Sequence, residues 1–136
     1  MVNDVMLNKC SVIERCLKRV CEEYAGSPCS LQNFTKQDSI VLNLVRICEA
    51  SIDLAMHVVS EQRLGIPQSS RDAFEILRQC SILSDSTATA MKNMVGFRNI
   101  AVHDYQAMSL EIVQAIVEGH LGDFRTYINE LMVHVR

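Results

Sequence analysis

The chain has 136 residues, 49% of them hydrophobic and 21% charged, with a formal net charge of -3. The hydrophobic share excludes a disordered chain, and the length suits a single domain, residues 1–136, with a real core. The mild negative charge excludes a general nucleic-acid coat, so any RNA contact must come from a local cluster of cations.

The opening MVNDVMLNKC lacks the basic start and apolar run of a secretory signal, and no apolar run reaches the length of a membrane span. A soluble, cytoplasmic protein without membrane contact is expected. Residues 4–24 carry Leu7, Cys10, Ile13, Leu17, Val20 and Tyr24 at three- and four-residue steps. That spacing predicts an amphipathic helix with Asn3 as its cap. Gly26-Ser27-Pro28 breaks it. Thr35 precedes Asp38 by three, in the manner of a capping box, and a long helix follows from about 36 to 63 through Ile40, Leu44, Ile47, Leu54 and Val58. Gly65 and Pro67 stop it, with Ile66 placed for the apolar contact of a C-terminal cap. Ser69 or Ser70 starts a short third helix through Ala73, Phe74 and Leu77, and Ser84-Asp85-Ser86 begins a fourth through Met91, Met94 and Val95. Ser109 caps a fifth that runs through Ile112, Ile116, Leu121, Phe124, Ile128, Leu131 and Val135. Gly119 and Gly122 fall inside that last pattern, where close helix packing would offset a cost of about 1 kcal/mol each. No segment alternates like a strand, so an all-α bundle of about five helices is expected.

The six cysteines form no C-x-x-C pair and no zinc spacing; Cys10, Cys21 and Cys48 read as reduced, small hydrophobes. His57 reads as a packed or edge histidine, and His120 and His134 have no ligand partners at metal spacing. No metal and no cofactor are expected.

The chemistry gathers at FRNIAVHDY, residues 97–105. On an ideal helix with Arg98 at the origin, Asn99 lies near 100°, His103 near 140° and Tyr105 near -20°. Phe97, Ile100 and Ala101 fall opposite, between about 200° and 300°, and so face the core. Asp104 falls on the apolar side, which predicts that the helix bends or ends there. Arg98 and His103 stand about 7.5 Å apart along the axis. A guanidinium can stabilise charge on a phosphoryl oxygen, and an imidazole can move a proton near neutral pH. With the RNA 2′-hydroxyl as nucleophile, such a site requires no metal. Asn99 could orient the histidine or bond the substrate, and Tyr105 could bond a phosphate or stack on a base. A structural polar interface accounts for the same residues equally well. Gly96 permits a close approach or simple packing beside them. Arg46, Arg71 and Arg78 could extend an RNA surface, although solvated helix faces are the simpler reading.

The stretch RNIAVHDY resembles the R-x4-H-x-Y motif of HEPN-domain proteins, specifically the HepT toxins. GIPQSSRDAFEILRQCSIL is similar to that family's middle section, MKNMVGFRNIAVHDY to its signature segment and IVQAIVEGHLGDFRTYINEL to its closing helix. The resemblance implies a helical homodimer whose two motifs meet across a cleft as a metal-independent ribonuclease, with Arg98 and His103 catalytic. It also implies an MNT-type nucleotidyltransferase antitoxin that adds AMP to Tyr105. The alternative is a non-catalytic HEPN module that binds nucleotides or a protein through the same face.

Overall fold

The computed structural model describes residues 3–135. Six α-helices follow one another: α1 (Asp4–Tyr24), α2 (Phe34–Glu61), α3 (Ser70–Gln79), α4 (Asp85–His103), α5 (Leu110–Gly119) and α6 (Leu121–Val135). Short 3-10 turns at Pro28–Gln32 and Tyr105–Ala107 complete the path. Among the described residues there is no strand, and no helix is long and apolar enough to cross a membrane.

Side-chain oxygens start five of the helices. Asn3 accepts from the Met6 amide, Ser69 from Asp72, Ser84 from Thr87 and Ser109 from Ile112, which satisfies amides that have no intrahelical partner. For α2 the cap is Asn33, accepting from the Lys36 amide, and not Thr35, so α2 starts two residues earlier than the Thr35–Asp38 pattern suggests. At its far end Arg63 takes the left-handed conformation (φ 55). The Leu64 amide bonds the Val59 carbonyl at 3.0 Å and the Arg63 amide bonds that of Ser60 at 3.2 Å, which is the Schellman arrangement. The apolar contact of that cap falls to Leu64, which packs on the core; Ile66 is 82% exposed. The expected fifth helix is two helices. Its apolar period continues through residue 120, but the backbone at His120 (φ -130, ψ 1) ends α5, and the His120 imidazole bonds Asp123 in the first turn of α6. Gly119 and Gly122 border open space, so close packing does not explain them.

α1 and α2 share the most extensive interface, and α2 is the centre of the bundle, buried on several sides. Met6 enters the core from the first turn of α1, and the predicted Leu7 faces outward at 55% exposure. Cys48 and Cys16 are buried and Cys21 is exposed; all six thiols are free. Tyr127 of α6 fills the middle of the core, edge-on to Phe74 with ring centroids 5.6 Å apart, and its hydroxyl donates to the Ser51 carbonyl at 2.7 Å. An ion-pair cluster ties α3 to α4: Glu75 accepts from Arg78 on its own helix and from Lys92 across the interface. These guanidinium and ammonium partners hold the Glu75 carboxyl down to about 2.

Candidate active site

The short stretch at 97–105 occupies the last two turns of α4 and the chain just beyond it. Phe97 and Ala101 are buried against the core as their azimuth requires. Ile100 is not: it is 44% exposed and lines an apolar groove of about 730 Å³ between α4 and α5 with Met94, Phe97, Ile112 and Ile116. The expected apolar half-face is therefore split, part covered by the core and part open beside the motif. Asp104 ends the helix (φ -150, ψ 67), and its amide still bonds the Ile100 carbonyl at 2.8 Å.

Arg98 reaches back toward α3. Its Nη2 donates to Ser70 Oγ at 3.3 Å, whereas its Nε is buried and lacks a partner among the described residues. The guanidinium also stands beside Cys48 of α2: burial pushes that thiol up to about 12, against the pull of the Arg98 charge. Asn99 is half-buried one residue on, and His103 is exposed at the last position of α4. The N-terminus of α3 forms the neighbouring wall. Arg71 Nε donates to the Lys92 carbonyl at 3.3 Å, and its guanidinium lies over Gly96, where a Cβ would stand 2.9 Å from Nη2. Gly96 thus admits a side chain, two residues before Arg98.

Tyr105 does not share the Arg98 azimuth, because the helix that would carry it there has ended. It opens the 3-10 turn instead, and its hydroxyl donates to Asp38 Oδ1 on α2 at 2.7 Å. Partial burial, then the hydrogen bond and charge of Asp38, push its phenol up to about 12, with the Gln37 side chain opposing. At 41% exposure the ring remains open to solvent. The other two tyrosines are buried: Tyr24 donates to Glu118, and Tyr127 lies in the core.

Residues 8–131 match the ribonuclease HepT-like family. The chain belongs to that family. It is 48% identical over 128 residues to the mRNA nuclease HepT of Shewanella oneidensis, spanning 94% of this chain and 96% of the relative. A solved structure of a tri-AMPylated HEPN toxin of the same organism, in complex with an MNT antitoxin, is 47% identical and covers 97% of this chain and 99% of its own, with a TM-score of 0.92. YutE, a cytosolic protein of Bacillus subtilis, shares the HepT-like fold at 15% identity with a TM-score of 0.74.

Ser70 and Asp38 are the site's unforeseen members, and Arg71, expected at most to extend an RNA surface, lies over Gly96 beside the motif. Only Gly96 hinted at a close neighbour, and it did not say which. Of the other arginines, Arg78 is committed to Glu75, and the Glu75 contact drives its pKa up further. Arg46 lines a surface hollow with Arg19 and Asp38. His57 bonds Asn3 and pairs with Glu61, and His134 bonds Gln62. No three His, Cys, Asp or Glu side chains gather as a metal site among the described residues.

Proposed function

We infer that this HepT-like chain is the toxin of a toxin–antitoxin pair, a cytoplasmic endoribonuclease that cuts RNA with Arg98 and His103 and is silenced when an MNT-type nucleotidyltransferase adds AMP to Tyr105. The observation that carries the reading is the guanidinium of Arg98. It is held at the α3–α4 crossing by Ser70 with its Nε left unanswered, about 7.5 Å along the helix axis from an exposed imidazole. An unpaired buried donor is costly, which marks this guanidinium as placed for more than the fold, and its Nη donors suit a phosphate oxygen. The mRNA nuclease relative and the AMPylated toxin–antitoxin complex support the same reading.

In the proposed reaction the His103 imidazole takes the proton of a ribose 2′-hydroxyl. The freed oxygen attacks the adjacent phosphorus, and the 5′-oxygen leaves with a proton from an acid. The products are a 2′,3′-cyclic phosphate and a 5′-hydroxyl. Arg98 stabilises the charge that builds on the non-bridging oxygens. Asn99 orients the imidazole or the substrate. One imidazole serves as base and cannot at once serve as acid, so a homodimer that brings two motifs together supplies both. Val102, 47% exposed and about 40° round the helix from Arg98, gives a second copy an apolar contact on the motif face.

The test is cleavage of RNA by purified protein in the presence of chelator. Cleavage should persist and leave cyclic phosphate ends, and Arg98→Ala and His103→Ala should each lose at least about 100-fold. Wild-type rates in His103→Ala would remove the histidine from the mechanism. A strict need for added divalent metal would overturn the metal-independent step, and RNA binding without any cleavage would leave a binding module.

A further inference from the structure

We propose that Asp38 is the general base for adenylylation of Tyr105, so that the protein being modified supplies the group that activates its own nucleophile. The inference rests on Tyr105 being the acceptor of AMP. The backbone is hydrogen-bonded around both partners. Asp38 lies in the second turn of α2, whose first amides are capped by Asn33. Tyr105 opens a 3-10 turn closed by the Ala107 amide on the Asp104 carbonyl at 3.0 Å and the Met108 amide on its own carbonyl at 3.2 Å. Across this junction the phenolic O–H points at Asp38 Oδ1, 2.7 Å away.

A phenol attacks phosphorus well only as its proton leaves. Burial and Asp38 hold the Tyr105 phenol up at about 12. Only about one molecule in 10⁵ would then carry a preformed phenolate at neutral pH. The contact that closes the phenolate route also aims the proton at a base within hydrogen-bond reach, which is what general-base catalysis requires. In the step, the O–H bond breaks and its proton passes to the Asp38 carboxylate. Tyr105 Oη forms a bond to the α-phosphorus of ATP held by the nucleotidyltransferase, and the bond from that phosphorus to the bridging oxygen of the β-phosphate breaks. Pyrophosphate leaves with the electron pair. Arg19 of α1 and Arg46 of α2 line a hollow of about 350 Å³ with Asp38, which puts two cationic side chains near the base.

The experiment measures initial transfer from α-labelled ATP by an MNT-type nucleotidyltransferase with magnesium, onto the unaltered chain and onto Asp38→Asn. The amide keeps the shape and can still accept the hydroxyl, but it takes no proton. We expect kcat to fall at least about 100-fold at pH 7, with KM for ATP changed less than threefold. The variant's rate should then climb about tenfold per pH unit from pH 7 to 9, as phenolate replaces the base. Asp38→Glu should recover part of the rate. The electrostatics give the opposite sign if the carboxylate merely packs: removing its charge makes the phenol more acidic, so a rate governed by phenolate alone would rise. An Asp38→Asn rate at or above one third of the unaltered rate at pH 7 overturns the proposal. Thermal melting by circular dichroism keeps the comparison to folded protein, and Asp38→Ser, read the same way, replaces the amide variant if that one melts early. Label that never reaches Tyr105 in the unaltered chain removes the acceptor assignment itself, and this inference with it.

Discussion

Replacing Arg98 with methionine should separate what that residue does for the fold from what it does for RNA. Methionine keeps an unbranched stem of similar reach and gives up the charge and all donors. The fold loses the 3.3 Å bond from Nη2 to Ser70. A bond that long from a charged donor contributes about 1.5 kcal/mol. The fold also loses the unpartnered Nε, and an unsatisfied buried donor costs about 1–3 kcal/mol. The balance runs from about 0.5 kcal/mol of destabilisation to about 1.5 kcal/mol of stabilisation. For a chain of this size that corresponds to a melting temperature between about 2 °C below and 6 °C above the unaltered protein. Cleavage should fall by about 10²–10³, the usual consequence of losing one donor to a developing oxyanion. Thermal melting and a labelled-RNA assay on the same preparation read both quantities. A loss of more than about 2 kcal/mol would mean that the guanidinium is a structural brace, and retained cleavage would mean that it is not the phosphate ligand.

Gly96→Ala should leave stability within about 1 kcal/mol in urea denaturation, because the gain in helix propensity is offset by displacing Arg71 from the Lys92 carbonyl. In an Arg71→Ala background the same change should stabilise by about 0.5–1 kcal/mol, and an identical effect in both backgrounds would show that the two residues do not meet. Glu75→Gln should lower the melting temperature at neutral pH. The carboxyl's pKa is depressed in the folded protein to about 2 from an ordinary 4.5. Its contribution is therefore complete above about 4.5, declines as pH falls below that, and is gone below about 2. The two melting curves should converge across that window, and a difference that persists unchanged to pH 2 would refute the assignment.

The sequence was most legible where one helix is a local matter. Asn3, Ser69, Ser84 and Ser109 cap helices as their positions imply, because a cap and its amide lie within three residues. The end of α4 at Asp104 was legible for a similar reason: a carboxylate on the apolar side cannot continue an amphipathic helix into a core. Several local patterns misled, the cap contact expected of Ile66 and made by Leu64 among them. Thr35 and Asp38 have capping-box spacing, but Asn33 takes the cap, and Asp38 is left to hold Tyr105. The apolar period through 112–135 continues across His120, and periodicity is blind to a break that preserves it. The site was half legible. The spacing of Arg98 and His103 lies within one helix, but their surroundings do not. Ser70 stands 28 residues from Arg98, and Asp38 stands 67 residues from Tyr105. Such distances are set by how helices cross, which no local pattern encodes.

The break at Asp104 also bears on how one helix end can serve both an enzyme and its control. On a continued helix Tyr105 would stand within about 20° of Arg98, and its phenol would compete with the RNA phosphate for the guanidinium. The break turns the tyrosine onto α2, where Asp38 engages its hydroxyl. The unmodified phenol therefore does not compete for the Arg98 guanidinium, whose one hydrogen bond to another side chain among the described residues runs from Nη2 to Ser70. Adding AMP would exchange the phenolic proton for a phosphodiester, which can no longer donate to Asp38 and which that carboxylate repels. The same phosphate is drawn to the nearest unpaired cations. In this account the modification acts by releasing the tyrosine from α2 as much as by its bulk, and the anion it carries then competes for the same guanidinium as the RNA.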